Sequence, residues 1–587
     1  MAKITVTEKD LSWYYRQRQR GNLVVYTPGL ASFGPTVPTY VTEDTFGRIF
    51  GGPIDVKGDY SYYIAESLLK SGVDVLFHRI LPDGAEKAVC AMTGYIVTTV
   101  DSTNQTPGSD PITITINGTN YQFTAGEVAT VNIPASSEDT QTEIETQLQA
   151  LVTAETIESF TTSADTGEIL AKYSGEFGNT LYLTAKAPTV QEDGSALRYF
   201  YVYAGASQST SVLVEQLIVE FKNPMSQYYY ENVDSNYIEF VIDGEFDDSW
   251  FTSMTKSGFS GGKNYGDAVD PVESVIATLK DADFLNDLKD PYGYYYDVLI
   301  NGALYNDTQS DMLAVDKNFA NVAQANGMAV YLIGGSSDMD SGTFMTYCGD
   351  FNSSFTSAIG PWTFAQFVSN GYYAWLPGYY AFLVAWGNSI ASGNPVWYAP
   401  AGTQRARVGT VVKKLKYPVG STVLDQWQNQ DFVTSNEGGY KLNPIMNVKQ
   451  YGYCIYGNST LLKGKPDGST SMLQSLGTRV LVNQIKAKAF EVALGLQFDQ
   501  LSDNLFMAFK VQLGAYMDQL KYQGGLYDYQ IILDRNSVTF ADLNQRTVPV
   551  KIKISPNPAA EVFDIVCEVY PSGITFTDEF DEFSVNA

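Results

Sequence analysis

The residues that could do chemistry in this chain are few, and most lack the partners their chemistry needs. Gly258-Phe259-Ser260-Gly261-Gly262 fits the Gly-x-Ser-x-Gly pattern of a nucleophile elbow. That device needs a strand before the serine, a helix after it and a histidine base in reach. The single histidine, His78, precedes the serine, whereas an elbow fold runs in the order serine, acid, histidine. A serine hydrolase built on Ser260 therefore has no base, and a glycine-rich loop is the better reading. Gly261-Gly262-Lys263-Asn264 superficially matches a phosphate loop, but Ser257 stands at the first glycine position and Asn264 where Ser or Thr would bind magnesium. Asp338-Met339-Asp340-Ser341-Gly342 has the acid density of a calcium loop without its position-six glycine or closing glutamate, and reads as a solvated turn. Cys90, Cys348, Cys454 and Cys567 are far apart and form no Cys-x-x-Cys pair, so they read as buried apolar residues of a protein made in a reducing cytosol. Neither a metal site nor a cofactor is expected.

The elements that would position these residues follow from periodicity. Leu23 to Tyr26, a helix over Tyr60 to Lys70 and Val73 to Phe77 make a strand-helix-strand pattern. Thr, Ser, Asn and Asp then dominate. Ile112 to Phe123 reads as a hairpin around Asn117-Gly118, followed by a helix carrying Ile144, Leu148 and Leu151, so residues 94–168 form a small α+β insert. Strands are expected at Tyr199 to Tyr203 and Tyr237 to Ile242. Beyond them a helix with Val272, Val275, Ile276 and Leu279 alternates with Asp297 to Ile300, a helix over Met312 to Asn326, and Ala329 to Ile333, which predicts an α/β region. Tyr372 to Trp386 is apolar but interrupted by Pro377-Gly378, too short to span a bilayer, and reads as core. Near the C-terminus Ser502 caps a helix ended by Gly524-Gly525, and alternating strands follow at Tyr527 to Leu533 and Val548 to Ile554. Short alternating runs at Ile4 and Val6, and at Ile574 and Phe576, lie outside any core that could pair them.

The fold class expected is multidomain α/β and α+β. An N-terminal arm covers residues 1–22, a mixed α/β core 23–93 plus 169–395, the β-rich insert 94–168, a two-layer helix/sheet C-terminal domain 396–571, and a C-terminal arm 572–587. Length alone, at 587 residues, asks for several domains. The balance of 37 basic to 65 acidic residues, a net charge of −28, opposes binding to nucleic acid or anionic lipid. The first residues lack the apolar stretch of a signal peptide, so no secretion signal is expected.

An ordered series of short marks gives the chain a family resemblance. It runs from Trp397-Tyr398-Ala399-Pro400-Ala401 through Asn443-Pro444-Ile445, Tyr451-Gly452-Tyr453, Tyr456 to Leu461, Thr478-Arg479-Val480-Leu481 and Phe498-Asp499 to Gly524-Gly525-Leu526, Tyr529-Gln530-Ile531 and Ser555-Pro556-Asn557-Pro558. Earlier marks are Pro28 to Pro35, Phe77-His78-Arg79, Tyr173 to Asn179 and Phe259 to Gly262. Together they resemble the contractile-tail sheath proteins, with the insert as the one gap. The resemblance implies a non-enzymatic subunit of a virion tail, assembled in the host cytoplasm. Hexameric rings of such a subunit stack around a tail tube protein, bounded by baseplate and tail terminator proteins, with no nucleic acid and no membrane insertion. It also implies that the C-terminal domain faces the tube. On the residues themselves, Ile4, Val6, Ile574 and Phe576 would add strands to neighbouring subunits. Arg16, Arg18 and Arg20 would guide register against Asp578, Glu579, Asp581 and Glu582. One departure is that Met1-Ala2-Lys3 stands where the family commonly has Pro-Gly before its first strand. Two other readings stay open: a surface-binding virion protein using the insert, and the hydrolase of Ser260.

Overall fold

The computed structural model describes residues 22–90, 112–116, 119–125, 157–164, 166–186, 189–190, 196–221, 223–243, 254–305, 308–398, 400–428, 439–465, 469–534, 538–539, 544–559, 574–575 and 584–585. Two compact units divide the chain, residues 1–486 and 487–587.

The first unit is organised on a doubly wound sheet of eight strands in the spatial order Thr39–Val41, Asp74–Arg79, Val24–Gly29, Val298–Leu299, Val330–Ile333, Thr356–Gly360, Asn443–Val448, Gly452–Ile455. Its five inner junctions are parallel, and the outermost pair at each end is antiparallel. Parallel strands need both faces covered, and every residue of Val24–Gly29, Val330–Ile333 and Thr356–Gly360 is buried. Alternation sends Val24 and Tyr26 to one layer with Val275, Leu279, Phe319 and Tyr331, drawn from the helices Pro271–Lys280 and Gln309–Asn326 and the next strand but one. On the other face Phe77 meets Phe46 and Phe50 at 5.1 and 4.8 Å between ring centres, beside the helix Ser61–Lys70. The apolar run resolves as the strand Tyr373–Leu376 followed by the helix Gly378–Ala391; the helix is core, while Tyr372 and Tyr373 are exposed.

A second, antiparallel sheet holds Val89–Cys90, Thr166–Ala171, Leu181–Ala185, Thr189–Val190, Ala196–Ala204, Val212–Val219, Ile238–Asp243 and Met254–Ser260. Its inward positions, including Leu181, Leu183, Phe200, Val202, Leu217 and Val219, form a separate core. The insert contributes its own three-stranded sheet, Ile112–Ile116, Thr119–Ala125 and Ile157–Ala164, with Ile116 opposite Thr119 as a two-residue turn requires. Asn117-Gly118 and the helix expected around Ile144 lie outside the described residues. The expected insert boundary at 168 is corrected slightly, since Thr166–Ala171 already pairs with Ile238–Asp243.

The boundary at 395/396 also needs correction. Residues 443–455 are not part of a separate C-terminal domain, because Asn443–Val448 pairs in parallel with Thr356–Gly360 and completes the central sheet. The division falls instead within the helix Leu476–Leu496, after Lys486. In the second unit the helix Asp503–Tyr522 buries Phe506, Phe509, Leu513, Met517 and Leu520, and its strands Leu526–Ile532 and Lys551–Pro556 pair antiparallel. Ser502 caps that helix by accepting from Leu505 N at 3.4 Å, as expected, and Gly524 follows its end at φ +81°. Val548 and Val550 precede the second strand rather than forming part of it.

Candidate functional site

Ser260 ends the strand Met254–Ser260, is exposed, and pairs with Val89. A turn with Gly261 at φ +83° follows, and the next helix begins only at Pro271, so the strand-turn-helix of an elbow is not formed. His78 is buried, with Phe284 stacked 4.9 Å from its ring. Its Nε2 lies 3.0 Å from Thr36 O, to which it donates, which leaves Nδ1 to accept from the Tyr26 hydroxyl at 2.8 Å. Burial pushes its pKa down to about 4. With both nitrogens engaged it is no base for Ser260. Asp340 accepts from Thr343 N at 2.7 Å and caps the helix Ser341–Cys348, which accounts for the acidic turn. Cys90, Cys348 and Cys454 are free and buried; Cys567 lies outside the described residues. Among the described residues no cluster of His, Cys, Asp and Glu could hold a metal, and no helix is long and apolar enough to cross a membrane.

The sequence marks instead converge at two joints. At the first, the central sheet meets the antiparallel sheet. The Arg79 guanidinium, 1% exposed, donates from Nε to Ala31 O at 2.7 Å, from Nη1 to Gly34 O at 2.9 Å and from Nη2 to Ser174 O at 2.6 Å. Burial lowers its pKa to about 10, so it stays charged. Gly175, at φ +134°, lies so close that a Cβ would stand 2.2 Å from Ser32 O. Glu176 N donates to Asn264 Oδ1 at 3.0 Å, Asn179 exchanges two 2.8 Å bonds with the backbone of Gly262, and Phe33 packs on Phe177 at 4.8 Å. Thus Asn264 and the glycines that suggested a phosphate loop are occupied as structure, and Lys263 pairs with Glu86.

At the second joint Asn443 Nδ2 donates to Ser357 Oγ, Ala358 O and Ser459 O at 2.9 to 3.0 Å, while its Oδ1 accepts from Ser459 N at 2.8 Å. That side chain welds the 443 strand to the sheet. Asn458 then fixes the start of the helix Leu476–Leu496 by accepting from Gly477 N at 3.1 Å.

The carboxyl ends of Val24–Gly29 and Val298–Leu299, where strand order reverses, are where an open α/β sheet normally binds a ligand. Here Gly302 leaves room only for the chain, since a Cβ would sit 2.2 Å from Pro28 O. Tyr379 OH donates to Asn301 Oδ1 at 2.6 Å and accepts from Ala303 N at 2.8 Å. Asn301 Nδ2 in turn donates to Asp316 Oδ1 at 3.2 Å, beside Tyr331 OH at 2.6 Å, while Tyr347 OH donates to Oδ2 at 2.7 Å. Asp316 is fully buried, and burial raises its pKa to about 6 against these three bonds, which lower it.

Of the residues expected to mediate assembly, Ile4, Val6, Arg16, Arg18, Arg20, Phe576, Asp578, Glu579, Asp581 and Glu582 lie outside the described residues. Ile574 is placed, and corrects the expectation of an unpaired strand, for Ile574–Thr575 pairs antiparallel with Ser584–Val585 of its own chain. No family model matches the chain. Among curated proteins it is similar to the tail sheath protein of Vibrio phage KVP40, 22% identical over 654 aligned residues that cover 89% of this chain and 92% of that protein. The chain resembles a tail sheath protein over nearly its whole length. Solved structures with some likeness include sheath tail proteins of Listeria innocua (12% identity, 89% and 90% covered, TM-score 0.46) and Desulfitobacterium hafniense (9%, 95% and 100%, 0.42).

Two residues of this sheath-like chain carry a signal that periodicity alone contained. Asp316 falls on the helical face of Met312, Val315, Phe319 and Ala320, and Arg79 ends a buried strand shortly after the apolar run Val75 to Phe77. A charge at a core position is the mark of a buried polar network.

Proposed function

We propose that this chain is a structural subunit of a contractile tail sheath, a virion component that polymerises as stacked hexameric rings around a tail tube. Contraction of that sleeve would drive the tube through the host envelope, with baseplate and terminator proteins at its ends. The observation that carries the reading is the similarity to a tail sheath protein along 89% of this chain and 92% of the relative. The engagement of both His78 nitrogens and of the 261–264 loop in structural bonds, which leaves Ser260 without that histidine as a base, is consistent with a role that is not enzymatic.

Assembly would proceed by strand addition. In the second unit Leu526–Ile532 and Lys551–Pro556 each pair on one side only among the described residues, and a two-stranded ribbon is marginal alone. Ile4, Val6, Ile574 and Phe576 would supply the missing strands from neighbouring copies, and the basic and acidic arms would guide register. The Ile574–Thr575 ladder is only two residues long and would open to do so. Such an open, head-to-tail lattice stores its energy in a metastable arrangement and asks for no nucleotide site.

Negative-stain imaging tests this directly. The purified chain should form hollow ridged cylinders, and a chain lacking residues 572–587 should stay folded and monomeric. Cylinders of normal length from the truncated chain would end the strand-addition reading, and absence of any from the intact chain, with or without tube, would end the sheath reading.

A further inference from the structure

The helix Leu476–Leu496 carries Arg479, Asn483 and Lys486 at spacings of four and three, which sets them on one stripe. Arg479 and Asn483 are 4% and 3% exposed. The guanidinium lies 4.3 Å over the Phe355 ring, and its Nη1 donates to Ser354 Oγ at 3.3 Å. Among the described residues its Nε has no partner, and neither the amide nitrogen nor the carbonyl oxygen of Asn483 has one. One turn on, at the open rim, Lys486 Nζ donates to Gly327 O at 3.0 Å, 5.5 Å from the same Phe355 ring. None of the ion pairs among the described residues supplies a carboxylate to Arg479 or Lys486. Burying a cation without a counter-charge, and an amide without hydrogen bonds, is costly, and native folds seldom do both in one place.

We propose that this stripe binds a hydrogen phosphate group. Arg479 Nε, Asn483 Nδ2 and Lys486 Nζ offer protons to anionic oxygens, whereas Asn483 Oδ1 asks for a proton. A carboxylate or a sulfate would serve the donors and leave Oδ1 bare. Phosphate at neutral pH carries both anionic oxygens and a hydroxyl, and completes all four. The group is free hydrogen phosphate, because a phosphate monoester is mostly the dianion at neutral pH and, like sulfate, brings no hydroxyl to Oδ1.

The test is thermal unfolding of the full chain with inorganic phosphate, with sulfate at matched ionic strength, and with glycerol phosphate. Phosphate should raise the transition temperature in a saturable way, with sulfate at least about tenfold weaker. Asn483→Leu, close in size to the amide it replaces, should abolish the difference between the two anions, and Lys486→Met should weaken phosphate about tenfold while leaving the fold intact. Glycerol phosphate, mostly the dianion at neutral pH, should be as weak as sulfate, and an effect equal to that of phosphate would overturn the role given to the hydroxyl. Equal effects of phosphate and sulfate, no saturable effect of either, or an unchanged response in the Asn483→Leu and Lys486→Met chains would overturn the proposal.

Discussion

Replacing Asp316 by Asn should stabilise the first unit at neutral pH and remove a pH dependence that the wild-type chain shows. Asp316 is fully buried, without a cationic partner in its hydrogen-bonded set, and burial lifts its pKa from the ordinary 3.8 to about 6. The folded state therefore holds the proton more tightly than the unfolded chain. Its stabilisation is complete below pH 3.8, falls as pH rises to about 6, and is gone above that. The interval corresponds to about 3 kcal/mol at neutral pH. Asparagine suits the geometry, because Oδ1 already takes two donors, Tyr331 OH and Asn301 Nδ2, and an amide oxygen accepts both. The other oxygen meets only Tyr347 OH, and a hydroxyl can turn to accept from the new amide nitrogen. All three bonds survive while the ionisation does not. Amide exchange in Val330–Ile333, read by mass spectrometry from pH 4 to 8 and corrected for intrinsic rates, reports the stability of this layer without assuming that 587 residues unfold in one step. The two chains should agree near pH 4 and diverge to about 3 kcal/mol by pH 7, with the Asp316→Asn chain the more protected. Parallel profiles, or a less protected variant at pH 7, would show that the carboxylate is not the strained member of this network.

His78 should act in the opposite sense. Its folded pKa is depressed to about 4 from 6.5, so the stability it confers is full above 6.5 and lost as pH falls toward 4. His78→Gln, which keeps a donor for Thr36 O, should remove about 3 kcal/mol of acid sensitivity over that window in denaturant titrations; an unchanged acid limb would contradict the assignment. Arg79→Met should leave two buried carbonyls and one half-buried carbonyl without this donor and cost about 3 kcal/mol, read as faster amide exchange and proteolysis in residues 173–179. Unaltered exchange there would mean that the guanidinium does not hold the joint.

Local pattern made the elements legible, and long-range pairing did not follow from it. The helices Ser61–Lys70, Pro271–Lys280, Gln309–Asn326 and Asp503–Tyr522 fall where apolar spacing places them, and Asp270 and Ser502 cap the second and fourth. Asn443–Val448 read as part of a C-terminal domain because nothing in a six-residue strand names its neighbour. Its place is decided by Asn443, whose amide bonds Ser357, Ala358 and Ser459. Likewise Ile574 carried the pattern of a strand but not the identity of Val585 opposite it. The family marks were read as a list, whereas their physical content is contact. Pro28 to Pro35, Arg79, Tyr173 to Asn179 and Gly262 are one joint, distributed over more than two hundred residues of sequence.

What separates positioning from catalysis in such a chain is the fate of lone pairs and protons. A base needs a nitrogen free to take a proton, and His78 has spent both of its own; a nucleophile needs a neighbour to deprotonate it, and Ser260, exposed at a strand end, cannot have that histidine as its base. Arg79 spends donors on three carbonyls, and Asn443 and Asn179 close reciprocal bonds with backbone, so these polar side chains fix one segment against another and leave little capacity to bind anything else. Saturated joints of this kind resist deformation. The stripe of Arg479 and Asn483 is built from the same residue types, is as deeply buried, and leaves Arg479 Nε and the whole Asn483 amide unused among the described residues. By the rule that identifies the joints as structural, that stripe is where ligand chemistry belongs.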